Sequence, residues 1–155
     1  MKVKISNYPN WRFYHHWLHN WFGYTPEQKT SIRIDKYDTW SMDHTLAPII
    51  LPMLKQLKET KHGAPNVDMK DVPKELRATK AQISKYDKNG DTDPKFFERW
   101  DWVLDEMIYA FDCKANKDDV YMRFDIEDRD SMKQEQERIA NGFRLFGKYY
   151  EALWD

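Results

Sequence analysis

A mainly α fold is predicted from this sequence: a compact helical bundle of three or four main helices with a minor N-terminal β ribbon. Three observations carry that expectation. In residues 96–111 (Phe96-Phe97-Glu98-Arg99-Trp100-Asp101-Trp102-Val103-Leu104-Asp105-Glu106-Met107-Ile108-Tyr109-Ala110-Phe111) apolar side chains return every three or four positions. The C-terminal stretch repeats the pattern at Met132, Ile139, Phe143, Phe146, Tyr150 and Leu153. That period gathers bulky groups on one stripe and leaves the acids elsewhere, as in helices sharing a core. The length, 155 residues, suits one core, so a single domain over 1–155 is expected.

The elements follow in order. Lys2–Ser6 and Ser31–Asp35 alternate polar and apolar residues and pair naturally as a small antiparallel ribbon. Between them Pro9 and Asn10 suit a helix start and Gly23 its end. Phe13, Trp17 and Trp21 line one face of that helix, flanked by Tyr14, Leu18 and Phe22. So wide an aromatic face is either deeply buried or partly exposed. The next helix has Ser41 as an acceptable N-cap, Asp43 in its first turn, and an apolar stripe from Met42 to Leu57. Pro48 and Pro52 each remove a backbone donor, which favours a start near Ala47 or a bent helix running to about Thr60.

Residues 61–93 turn polar and are punctuated by His62-Gly63-Ala64-Pro65, Pro73, Asn89 and Gly90. They read as a mobile polar surface insertion with a short helix around Lys74–Tyr86. Asp93-Pro94 opens the next helix as N-cap and N1. A strand is expected at Val120–Phe124. Ser131-Met132-Lys133-Gln134 has the capping-box form and starts the last helix.

Composition narrows the function classes. Aromatic residues make up 15% of the chain, with seven Trp, nine Tyr and eight Phe. Such rings either fill a small core or, exposed, anchor a binding surface. Charged residues reach 33% yet balance to a net of −1, so nucleic acid is not indicated by net charge. Lysines between Lys55 and Lys85 give local basic character, and acids dominate from Asp87 to Glu137. Cys113 is the single cysteine, which rules out an intramolecular disulfide and reads as inert. The N-terminus lacks the apolar run of a signal peptide, and nothing approaches a membrane span. A soluble cytoplasmic protein without membrane partners is expected.

Several constellations invite chemistry. Asp87-Lys88-Asn89-Gly90-Asp91-Thr92-Asp93-Pro94-Lys95-Phe96-Phe97-Glu98 places oxygens at the calcium-loop positions 1, 3, 5 and 12. Thr92 stands where the turn glycine belongs, Pro94 follows, and Lys95 opposes a cation, so Ca²⁺ is disfavoured. Glu98, Asp101 and Asp105 share one helix face, a candidate Mg²⁺ site for a nucleotide or phosphoester hydrolase. That reading needs a second acidic helix, for which Glu135, Glu137 and Glu151 are available. A solvated face explains the same residues. His15 and His19 stand at i, i+4, spacing that can hold zinc. His16 occupies the place of the glutamate of a hydrolytic site. His44 after Asp43 suggests a general base, but no nucleophile motif accompanies it. Gly142 and Gly147 interrupt the last helix, either for close packing against residues 96–111 or as a notch for a flat ligand walled by Trp100, Phe143 and Phe146.

Asp38-Thr39-Trp40-Ser41-Met42-Asp43-His44-Thr45-Leu46-Ala47, Leu51-Pro52-Met53-Leu54-Lys55-Gln56-Leu57-Lys58 and Lys61-His62-Gly63-Ala64-Pro65 resemble a family of small proteins encoded by tailed bacteriophages. Arg99–Ile108 and Arg138–Tyr150 resemble its other shared blocks, and the resemblance spans about two-thirds of the chain. It implies a viral origin and a place in the host cytoplasm; it carries no chemistry or site residue with it. The expected function is therefore a non-enzymatic phage accessory protein that binds a host or viral protein, or a small ligand such as a nucleotide, through aromatic surface. Candidate binding residues are Trp11, His15, His19, Trp40, Asp43, His44, Trp100 and Arg144. Two competing functions are compatible with the same residues: a metal-dependent hydrolase built on the acidic face, and a virion or assembly component. No cofactor is expected apart from Mg²⁺ for such a hydrolase, and a homo-oligomer is compatible with the sequence.

Overall fold

The computed structural model describes residues 2–5, 12–25, 27, 30–88, 90–116 and 129–154. The chain divides into two compact units, residues 1–42 and 43–155.

In the first unit the alternating segments pair as expected. Strand β1 (Lys2–Ile5) runs antiparallel to β2 (Thr30–Arg33), with Lys2 opposite Arg33 and Val3 opposite Ile32. β2 stops short of Asp35 because that carboxylate turns the chain instead. It accepts the Tyr37 N–H at 3.1 Å and opens a 3₁₀ turn over Lys36–Thr39. Helix α1 spans Phe13–Phe22. The expected start at Pro9 and Asn10 lies outside the described residues. Its end falls where the glycine is: Gly23 adopts φ 64° and donates its N–H to the His19 carbonyl at 2.8 Å.

The second unit holds the core. Helix α2 spans Met42–Thr60 and contains both prolines, so it begins five residues ahead of Ala47. Pro48 and Pro52 are four apart, hence on one face, and both are exposed. Their missing donors leave the His44 and Pro48 carbonyls without the usual helical partner on a side that water reaches. The opposite face buries Ala47, Leu51 and Leu54. Beyond α2 come a 3₁₀ turn (Lys74–Leu76) and helix α3 (Lys80–Asp87). Thr79 and Gln82 close a capping box on α3: Thr79 Oγ1 accepts the Gln82 N–H at 3.3 Å and Gln82 Oε1 the Thr79 N–H at 2.8 Å.

Helix α4 (Phe96–Ala115) has Lys95 as N-cap, two residues past the predicted Asp93. Asp93 still organises this turn, accepting the Lys95 N–H at 3.1 Å. Helix α5 (Arg129–Lys148) continues into a 3₁₀ turn at Tyr150–Ala152. Ser131 lies inside α5, so the predicted capping box is not at the helix start; the strand expected at Val120–Phe124 lies outside the described residues.

Trp100, Val103, Leu104, Met107 and Phe111 of α4 meet Leu145 of α5, Leu51 and Leu54 of α2, and Tyr149 in one buried cluster. Val67 and Val72 join it, each 2% exposed. The stretch read as a surface insertion therefore contributes to the core over residues 61–79. Two valines among polar residues show no period, so only their burial reveals the role. α4 and α5 approach so closely at Gly142 that a Cβ there would lie 2.4 Å from the Glu106 carbonyl oxygen. Among the described residues no helix is long and apolar enough to cross a membrane.

Candidate functional site

The aromatic surface lies in the first unit. α1 has four-residue spacing between Trp17 and Trp21, which brings their rings to 5.9 Å between centroids, tilted by 32°. Phe22 meets Trp17 edge-on at 6.2 Å. These rings pack on one another and remain open to solvent: Phe13 is 88% exposed, Trp21 and Phe22 each 72%. Tyr37 and Trp40 add exposed rings beyond the ribbon. The wide aromatic face of α1 is thus outward in the fold and not deeply buried.

His15 is the buried exception in α1. Its Nδ1 accepts the Arg12 N–H at 3.1 Å, and its ring lies 4.3 Å from that of Tyr14. His19 Nδ1 stands 3.2 Å from the Tyr24 carbonyl oxygen. The two imidazoles that could form a zinc pair thus serve the two ends of α1. Trp11 lies outside the described residues.

Asp43 and His44 perform a joining role in the second unit. Asp43 pairs with Lys114 at 2.9 Å, and His44 Nδ1 lies 3.0 Å from the Lys114 carbonyl oxygen. The start of α2 is thereby tied to the end of α4. The Lys114 ammonium holds the Asp43 carboxyl below its ordinary range. Trp100 is a core residue, 1% exposed, with its ring 5.8 Å from that of Tyr149. It offers no face to a ligand. The flat-ligand notch is filled at Gly142 and open at Gly147: Glu106 and Ala110 occupy the space beside Gly142, and Phe111 sits edge-on to Phe143 and Phe146.

The acidic face of α4 meets two lysines of α2 and Lys61, the residue that follows it. Lys61 pairs with Asp101 at 2.5 Å, Lys58 with Asp105 at 2.5 Å, and Lys55 with Asp112 at 3.2 Å. As one helix ascends the other descends, which makes this an antiparallel charge ladder. Glu98 stays exposed and outside it. Of the acids available for a second helix, Glu135 accepts the Tyr109 hydroxyl, Glu137 lies 3.9 Å from Lys133 with both side chains exposed, and Glu151 is exposed. Among the described residues no three His, Cys, Asp or Glu side chains gather as a metal site would require. In the calcium-like loop, the Asp87 side chain and Asn89 lie outside the described residues. Asp93 of that loop is bound to the Arg99 guanidinium, both nearly buried. That guanidinium draws the Asp93 carboxyl below its usual value.

One polar cluster has no local trace in the sequence. Asp71 accepts Lys148 Nζ at 2.5 Å, Arg144 Nη2 at 2.8 Å and the Tyr149 hydroxyl at 2.8 Å. The same hydroxyl accepts the Asp68 N–H at 3.0 Å, and Asp68 also pairs with Lys148 at 3.1 Å. Burial pushes the Asp71 carboxyl up, and the Lys148, Tyr149 and Arg144 hydrogen bonds more than reverse it. Burial raises the Tyr149 phenol, while the Asp71 carboxylate raises the Lys148 ammonium. Two acids and two cations compensate one another, so the cluster clasps residues 68–71 onto the end of α5. Arg144, a candidate binding residue, belongs to this clasp and also bonds Asn141 at 2.8 Å. Its partner Asp71 is more than seventy residues away in sequence, beyond the reach of any spacing rule. No family model, curated protein or solved structure matches the chain.

Proposed function

We propose that the chain is a non-enzymatic phage accessory protein that holds a host or viral partner through the aromatic surface of residues 13–40. The observation that carries this reading is the concentration of exposed large rings there, with Phe13, Trp17, Trp21, Phe22, Tyr37 and Trp40 all open to solvent. Trp and Tyr dominate the energetics of interfaces, and exposed patches of this kind are otherwise a solubility liability. The residues that would serve hydrolysis support the same reading, because Asp101 and Asp105 are held by Lys61 and Lys58.

The test is affinity capture from bacterial cells expressing the tagged chain, after chemical cross-linking, read by mass spectrometry. The expected result is a specific partner whose recovery falls at least about tenfold in Trp17→Ala/Trp21→Ala, as loss of interface hot spots implies. Recovery unchanged by that pair of substitutions, in a variant with unaltered helicity, overturns the reading.

A further inference from the structure

The two units differ in charge as well as in exposed rings. Residues 1–42 hold six basic residues (Lys2, Lys4, Arg12, Lys29, Arg33, Lys36) against three acids (Glu27, Asp35, Asp38), a net of +3. With −1 over the whole chain, residues 43–155 carry −4. The overall balance therefore conceals a basic, ring-bearing unit joined to an acidic one.

The first unit's cations are also used differently. In the second unit Lys55, Lys58, Lys61, Lys114, Lys148, Arg99, Arg138 and Arg144 each meet a carboxylate. Among the described residues, no carboxylate lies within ion-pair distance of Lys2, Arg12, Arg33 or Lys36. Of the acids nearby, Asp35 accepts the Tyr37 N–H, and Asp38 accepts the Asp35 N–H at 2.7 Å and is drawn below its ordinary value first by the N-terminal amine. The ribbon register sets Lys2 directly opposite Arg33, both exposed. Like charges facing across a strand pair are destabilising unless an anion sits over them.

We infer that the first unit binds single-stranded nucleic acid, Lys2, Arg12, Arg33 and Lys36 meeting phosphates while Trp17, Trp21, Phe22 and Trp40 stack bases. This rests on the reading of residues 13–40 as a recognition surface and specifies its partner. Exposed cations without carboxylate partners and exposed flat rings in one compact unit are what single strands require, since every base offers a π-face and every linkage a charge. A protein partner is matched less well, because interface cores are depleted of charge. A membrane surface is also matched less well. Interfacial helices set Lys and Arg on their polar face, whereas α1 has only His16, His19 and Asn20 there.

The experiment is fluorescence anisotropy of a labelled oligothymidylate of about 16 nucleotides, titrated with the full-length chain. Duplex DNA, polyglutamate and anionic phospholipid vesicles serve as competitors. Four phosphate contacts predict a salt slope of about −3, or roughly a 50-fold loss of affinity between about 50 and 200 mM salt. Lys2→Glu/Arg33→Glu is expected to abolish binding, and Trp21→Ala to weaken it by about 5- to 100-fold. Absence of binding at the lower salt overturns the inference, as does binding indifferent to the tryptophan variants. Equal competition by polyglutamate or duplex, capture by vesicles alone, or self-association through Trp17 and Trp21 without oligonucleotide binding also overturns it. If the oligonucleotide fails while a protein partner is still lost in Trp17→Ala/Trp21→Ala, the recognition surface stands and only its assigned partner falls.

Discussion

Gly142 and Gly147 stand five residues apart on α5, read alike in the sequence, and have opposite meanings in the fold. A Cβ at Gly142 would meet the Glu106 carbonyl oxygen at 2.4 Å and the Ala110 Cβ at 2.6 Å, and neither atom can swing aside. Gly142→Ala must force α4 and α5 apart, at a cost of about 1–3 kcal/mol typical of overpacking. At Gly147 nothing lies within 4 Å. Gly147→Ala is expected to stabilise by about 0.4–1 kcal/mol through lower entropy of the unfolded chain. Urea unfolding of the two variants against the parent checks both signs, and equal effects would remove the packing argument. Trp17 and Trp21 give the complementary case. Being exposed, their replacement by alanine should change stability by no more than about 0.5 kcal/mol. A larger loss in thermal unfolding would make them structural and not recognition residues.

At the scale of elements, α2 shows how a helix survives two internal prolines. Ala47, Leu51 and Leu54 are buried on one side, and Pro48 and Pro52 share the wet side. Restoring the donor and relieving the clash at Pro48 should outweigh the entropy that proline removes from the unfolded state. Pro48→Ala is therefore expected to stabilise by roughly 1–2 kcal/mol, read as a higher urea midpoint with unchanged slope. A lower midpoint would mean that the proline ring is needed where it stands. The periods of α2, α4 and α5 were legible, and so was the ribbon, because each is written in residues adjacent along one element. Starts were less legible. Thr79-Lys80-Ala81-Gln82 is a working capping box, whereas Ser131–Gln134 has the same form inside α5. Whether such a tetrapeptide caps depends on where the preceding backbone leaves the helix. The acidic face of α4 was visible too, but its lysine partners on and just after α2 were not, since they lie 40 to 57 residues upstream.

Across the molecule, acid should reveal the long-range polar ties. The Arg99 guanidinium holds the Asp93 carboxyl below its ordinary value; at Asp71, burial pushes the carboxyl up, and hydrogen bonds from Lys148, Tyr149 and Arg144 more than reverse it. A carboxyl depressed by folding contributes stability that is fully present above its unfolded value, about 3.9, and is lost as pH falls through the folded value. Unfolding free energy from these groups should therefore be flat from neutral pH to about 5 and decline below about 4. Asp71→Asn should show a shallower decline than the parent over that acid range; an identical profile would deny Asp71 its share. Helical period, the glycine that ends α1 and the alternation of the ribbon are local, and the sequence alone settled them, since each depends on neighbours within a few residues. Which face meets protein and which meets water is not local. The α1 rings are outward, Trp100 is inward, the Asp101 and Asp105 carboxylates face lysines, and Val67 and Val72 are core. Each outcome depends on what distant segments bring alongside, so only the tertiary structure decided it.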